Sequence, residues 1–461
     1  MEYKLINKTN KKNNSVKKAV LIVVSVVAII AIGAGIYWFS IPKEGRNMLT
    51  FMAFSGDSYD NYEEYQVIDR NEKSLSPTSF DPNAAISAEG ESNQNIMAIT
   101  EMVKNEDSSM LKKGNVQSIG IDNYTGWHLI ADEGASEGNN PFGPSPLSYY
   151  TAGVATNLHT QIIKAASVQN VVLDSIKVEV LNTFRWDEML SEDGSGHLDV
   201  TTTNIIIESN ASQEDVQKVI DIAINSWSAG EALRNETTIE PTLVINGDNW
   251  KEYRSKPGTS LSDVSVVDGL KMSSVTEVPR VPETIDLSEY VDEGMSFNID
   301  SMSNMQFAIF AISESAGNSE RPYLKKVTLS TPSEETWEIY SDEFMGEDDI
   351  PLAPTSLEYF TAGTALCLTS QTTLVSAMMD LDFTEYRVEN QMDYTQKSID
   401  TPEMVGTTDT AHSYILIESQ ESEERLNEFY NKSLALCFAG EGLKNATEMN
   451  TNIYLNNNKL N

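Results

Sequence analysis

Two cysteines, Cys367 and Cys437, are the only thiols in a chain of 461 residues, and they stand 70 positions apart. A thiolate is the strongest nucleophile at neutral pH, and two thiols that meet can cycle between dithiol and disulfide. The residue types alone leave three readings open: a redox-competent pair, a fixed disulfide, or two buried thiols acting as small apolar side chains. A fixed bond closing so long a loop contributes on the order of 4 kcal/mol through the unfolded state. Other chemistry has less behind it. His128, His159, His197 and His412 are scattered without the paired spacing of a metal site, so neither a metal nor a cofactor is expected. Gly194-Ser195-Gly196 reads as a flexible polar turn, not a phosphate loop. The clusters Tyr59/Tyr62/Tyr65 and Tyr149/Tyr150 fit core packing better than a cavity lining.

The elements that must position the thiols occur twice. Residues 127–246 and 337–456 read as two copies of one pattern, offset by 210 positions. Trp127 pairs with Trp337, Tyr149-Tyr150-Thr151-Ala152-Gly153 with Tyr359-Phe360-Thr361-Ala362-Gly363, and Ala229-Gly230-Glu231 with Ala439-Gly440-Glu441. A repeat of this length is a duplicated domain, not a solenoid unit. In this frame Cys367 stands opposite Asn157, and Cys437 opposite Trp227. Only the second copy carries thiols. Trp337, Asp342, Gly363 and Glu441 recur in the thiol-free copy and so read as architectural, although Glu441, one helical turn after Cys437, is placed to face it.

Each copy shows the same order: a strand pair, a long helix, a second strand pair, another helix and a short closing strand. In the second copy the pattern predicts strands over 307–313 and 326–330 and a central apolar helix over 357–379, about 34 Å long. Strands over 385–391 and 413–418 follow, then a helix over 422–444 with Ser422 as N-cap, and a strand over 452–455.

Six lysines against Glu2 in residues 1–18, followed by an uncharged apolar run over 19–40, match a cytoplasmic tail and a single membrane anchor with the remainder outside the cell. A cleaved signal peptide is the competing reading at Ala31-Ile32-Gly33, but the run continues through Tyr37, Trp38 and Phe39. The rest of the chain holds 26 Lys and Arg against 68 Asp and Glu, a net charge of −42. Such a surface repels phosphate backbones and excludes nucleic-acid partners. Residues 41–92 read as an acidic linker without sustained helix or strand period, and 251–294, with Pro257-Gly258, Pro279 and Pro282, as a second linker. The domains are then 93–250, without cysteines, and 295–461, with the pair.

The element order, the stretch Thr361-Ala362-Gly363-Thr364-Ala365-Leu366-Cys367-Leu368 and a second cysteine 70 residues on resemble the OsmC/Ohr family of peroxide-handling proteins. The resemblance implies an α+β fold. Here that means two tandem OsmC-like domains forming an internal pseudo-dimer in place of the family's intertwined homodimer, preceded by one transmembrane helix. It further implies that Cys367 attacks the O–O bond of a hydrophobic organic hydroperoxide, that Cys437 resolves the sulfenic acid, and that an external dithiol restores the pair. An activating arginine is implied near the first hairpin, where Arg321 is best placed; at the 210 offset its counterpart is Leu111.

Three positions depart from the family pattern. Leu357 stands where a glutamate is expected ten residues before Cys367, and Glu358 lies on the opposite side of the helix. Phe438 replaces the proline after the second cysteine. These departures and the thiol-free first half support an alternative: a non-enzymatic extracellular binding or cell-envelope module, with Cys367 and Cys437 inert or joined in a structural disulfide.

Overall fold

The computed structural model describes residues 41–54, 68–71, 73–77, 92–102, 110–133, 143–246, 304–331, 336–346 and 349–460. The basic head, the apolar run 19–40 and the segment 251–294 lie outside them. Among the described residues no helix is long and apolar enough to cross a membrane.

Two long helices organise the molecule. The first, which we label α2, is Pro146–Gln169; α5 is Ser356–Met379, 210 positions later. Ser145 caps α2, with proline at its first position, where a missing N–H costs nothing, and Asn170 ends it in the left-handed conformation. Thr355 and Glu358 form a reciprocal capping box at the start of α5, and Asp380 closes it in the left-handed conformation. Both helices are buried over nearly their whole circumference, as central helices are. They cross where glycine allows contact: a Cβ on Gly153 would lie 2.5 Å from the Phe360 nitrogen, and one on Gly363 2.3 Å from the Tyr150 nitrogen. Tyr149 stacks on Tyr359 at 5.7 Å, and Tyr150 on Phe360 at 4.7 Å. Each aromatic thus meets the residue 210 positions on, the contact pattern of a two-fold interface.

Among the described residues, two seven-stranded sheets lie around these helices. The strands are β1 (Ile68–Arg70), β2 (Ser92–Met102), β3 (Lys112–Ser118), β4 (Trp127–Ala131), β5 (Ser175–Asp187), β6 (Ser195–Glu208), β7 (Ile239–Ile245), β8 (Gln306–Ser315), β9 (Lys325–Ser330), β10 (Thr336–Ser341), β11 (Phe383–Lys397), β12 (Val405–Ser419), β13 (Glu448–Leu455) and β14 (Asn458–Leu460). One sheet runs β1-β4-β3-β2-β11-β12-β7 and the other β10-β9-β8-β5-β6-β13-β14. Neither sheet belongs to one half of the chain. Strand β2 pairs antiparallel with β11, and β8 with β5, while β7 and β13 add as parallel strands to β12 and β6 of the opposite half. The β2–β3 hairpin covers α5, and β8–β9 covers α2.

Several sequence expectations are corrected. Each first hairpin gains a third strand, β4 or β10. The segment 41–92 contains a helix, α1 (Lys43–Phe54), and the edge strand β1. Asn47 donates to the Met378 carbonyl and Lys43 pairs with Asp380, docking α1 on the end of α5; β1 is three residues long and its partner β4 lies far along the chain, so no local period announces it. The helix expected over 422–444 is two, α6 (Glu423–Ala435) and α7 (Phe438–Lys444), matched in the first half by α3 (Gln213–Asn225) and α4 (Ser228–Arg234). Finally, the 210 offset does not extend into the first hairpins. Lys112 lies opposite Ala131 and Lys325 opposite Ser341, so the offset there is 213, because the β3–β4 turn is longer by three residues than the β9–β10 turn. The structural counterpart of Leu111 is therefore Leu324, not Arg321.

Candidate functional site

Cys367 sits mid-way along α5, and Cys437 occupies the break between α6 and α7, where it is the N-cap of α7. That break turns its side chain back toward α5. The Cys437 thiol donates to Cys367 Sγ at 3.7 Å, and both sulfurs belong to free thiols. A disulfide needs about 2.05 Å between sulfurs, so closing the bond requires a shift of well under one side-chain length. The Gly440 N–H donates to Cys437 Sγ at 3.4 Å.

Both thiols are buried, Cys367 at 1% exposure and Cys437 at 2%. Burial pushes the Cys367 thiol well above its ordinary value; the Cys437 thiol beside it and, more weakly, the Glu133 carboxylate push the same way, while the Ala439 backbone N–H opposes them. At neutral pH Cys367 is a thiol, and it must lose its proton to act as a nucleophile. Glu133 is ion-paired with Lys112, whose side chain is fully buried and also donates to the Met110 carbonyl. Tyr150 of the first half lies within electrostatic range of both sulfurs.

The equivalent position in the other half is filled differently. Asn157 Oδ1 accepts from the Ala229 N–H at 3.1 Å, the same backbone donor that Ala439 provides to Cys367, and Asn157 Nδ2 donates to Ser356 Oγ at 3.2 Å. Trp227 fills the place of Cys437, fully buried, with its indole N–H on the Val154 carbonyl. Gly230 is required there, since a Cβ would lie 2.2 Å from the indole ring; its counterpart Gly440 faces the Cys437 side chain, with the sulfur at 3.3 Å. Lys325 and Glu343 repeat the Lys112–Glu133 pair, with Thr160 accepting from Lys325 at 2.8 Å.

The cysteines expected to act together are thus brought together. Arg321 is directed elsewhere: its guanidinium lies 2.6 Å from Asp349 and 3.5 Å from Asp342 and donates to the Ile350 carbonyl. It stands on the hairpin that covers the thiol-free helix α2, while α5 is covered by β2–β3. At the 213 offset its counterpart is Ser108, outside the described residues. Glu358 accepts from the Ser118 N–H and hydroxyl, from Tyr124 Oη and from the Thr355 N–H, which ties the start of α5 to the first hairpin. Glu441 turns to Lys444 and Asn445, not to the thiol. Sequence reasoning read Tyr150 as core packing and passed over Lys112 and Glu133. Tyr150 carried a signal in its pairing with Phe360, a position where the halves differ; Lys112 gave none, because its side chain is buried only by a strand register invisible in the sequence.

Residues 346–452 match the family model described as OsmC-like protein. This segment contains both cysteines and lies within the second half of the chain. An OsmC-like hydroperoxide resistance protein from Jannaschia sp. CCS1 is similar at 17% identity over 30% of this chain and 87% of its own, with a TM-score of 0.20. No curated protein matches the chain.

Proposed function

We propose that this chain is a membrane-anchored, extracellular, thiol-dependent reductase of hydrophobic organic hydroperoxides, in which two duplicated OsmC-like halves form an internal pseudo-dimer with one dithiol site. The observation that carries the reading is the 3.7 Å approach of Cys437 to Cys367, from positions 70 residues apart, within the segment that matches the OsmC-like family. Cys367 attacks the outer oxygen of the hydroperoxide, giving a sulfenic acid and one alcohol. Cys437 then displaces water from that sulfenic acid to form the disulfide, and an external dithiol returns the pair to thiols. The first half contributes no thiol; its β2–β3 hairpin and α2 pack on α5, the helix that carries Cys367. The −42 charge outside residues 1–39 fits an apolar, uncharged substrate and no nucleic-acid partner. The anchor would be residues 19–40, which should leave the protein in the membrane pellet after alkaline carbonate extraction.

A second reading is favoured by the burial of both thiols and by the engagement of Arg321 with Asp342 and Asp349. In it the chain is a binding or envelope module, and the cysteines are inert or joined in a structural disulfide. Stopped-flow mixing of the reduced full-length protein in detergent with cumene hydroperoxide separates the two. Fast oxidation that disappears in Cys367→Ser supports the reductase; oxidation no faster than in that variant supports the module.

A further inference from the structure

Tyr150 is the polar group of the thiol site for which the fold has no internal use. Its side chain is fully buried, and among the described residues its hydroxyl has no hydrogen-bond partner. An unsatisfied buried hydroxyl is costly, and native folds keep few of them without a reason. Its neighbours show the contrast. The Tyr149 hydroxyl donates to the Ile130 carbonyl, the Tyr359 hydroxyl to the Tyr340 carbonyl, and the Tyr394 hydroxyl bonds with Thr361.

Geometry fixes where Tyr150 sits. Its backbone packs directly on Gly363, and Gly363 lies one helical turn before Cys367 on the same face of α5. Its ring is held against Phe360 at 4.7 Å. The hydroxyl is in electrostatic range of both Cys367 and Cys437. The residue 210 positions on, which faces the thiol-free half, is Phe360. At this position a hydroxyl is therefore present beside the thiols and absent from the counterpart.

We infer that Tyr150 is a catalytic residue of the thiol site, donated by the first half, whose O–H binds the hydroperoxide oxygen that leaves as the alcohol. This rests on the hydroperoxide-reductase reading. In the step, the Cys367 sulfur forms a bond to the outer oxygen of ROOH as the O–O bond breaks, giving Cys367–SOH and ROH. The proton lost by the Cys367 thiol completes the alcohol. Tyr150 keeps its own proton and stabilises the charge that builds on the leaving oxygen. Burial holds the phenol well above its ordinary pKa, so it remains a donor throughout.

The test is Tyr150→Phe in the full-length protein, a substitution that mirrors the residue at position 360. The rate constant for Cys367 oxidation by cumene hydroperoxide should fall on the order of 100-fold. Alkylation of Cys367 by N-ethylmaleimide, which has no leaving oxygen, should stay within about 3-fold of wild type, as should peroxide oxidation in Tyr149→Phe. An unchanged peroxide rate in Tyr150→Phe overturns the inference and leaves the reductase reading standing. Equal losses toward peroxide and maleimide also overturn it, since they mark a role in access or packing. A wild-type protein no faster than Cys367→Ser overturns both.

Discussion

The two half-sites share one scaffold and fill it in opposite ways. Around Asn157 a backbone N–H, a serine hydroxyl and an indole N–H all have partners, and Trp227 occupies the volume. Around Cys367 the same backbone donor meets a sulfur, Trp227 is replaced by a small thiol, and the Tyr150 hydroxyl is left over. The lesson is that the scaffold does not demand cysteine. A well-packed alternative exists within the same molecule, with Asn157 and Trp227 both hydrogen-bonded in place of the thiols.

This contrast can be broken experimentally, and the largest effect should come from the packed side. Trp227→Ala removes a fully buried indole and should cost about 3–5 kcal/mol, whereas Cys437→Ala should cost about 1 kcal/mol; urea unfolding midpoints measure both. Comparable losses would mean the two positions carry equal structural weight. Next in size is an acid effect confined to the first half. Burial lowers His128 and His159 from the usual 6.5 to about 3. Between those values the unfolded chain binds more protons than the folded one, so stability is complete above about pH 6.5 and falls as pH drops toward 3, by about 1.4 kcal/mol per pH unit for each histidine. His159→Thr, the residue found at 369, should remove one histidine's share of that slope; an unchanged slope would show that His159 does not titrate in this way.

Smaller still, Asn157→Ala leaves the Ala229 N–H and the Ser356 hydroxyl unpaired and should cost about 1–3 kcal/mol without changing the peroxide rate. A slower peroxide reaction would mean that the two half-sites are coupled. The smallest effect concerns Arg321, held by carboxylates on the hairpin over α2. Arg321→Ala should alter the rate of Cys367 oxidation by less than about 3-fold. A loss of 10-fold or more would restore to it the thiolate-stabilising role that the family resemblance implies.

Much of the fold was legible from local patterns. The central helices, the β5–β6 and β11–β12 hairpins and the thiol positions follow from apolar periodicity and the 210-residue offset, because those signals lie within short windows. What escaped depends on distance or register. Strand β1 exists through its pairing with β4, and α1 through its docking on the end of α5, neither of which leaves a local trace. The break at Leu436–Cys437 lies inside a run that reads as one helix, yet it is what aims the second thiol. Leu111 was matched to Arg321 because the three extra residues in the β3–β4 turn become visible only once the strands are paired.

The exchange of strands between the halves also sets the order in which the chain can be built. Ala98 of β2 must find Asn390 of β11, and Leu243 of β7 must find Ile415 of β12. A ribosome or translocon delivering the chain from its N-terminus therefore releases β2–β4 and β7 long before their partners exist. Their open edges wait through most of synthesis, a period in which an unpaired strand can add to a neighbouring chain. Neither sheet can close until residues beyond 400 emerge, and the thiol site itself waits for Cys437, whereas the hydrogen-bond partners of Asn157 and Trp227 are available once Ser356 has emerged.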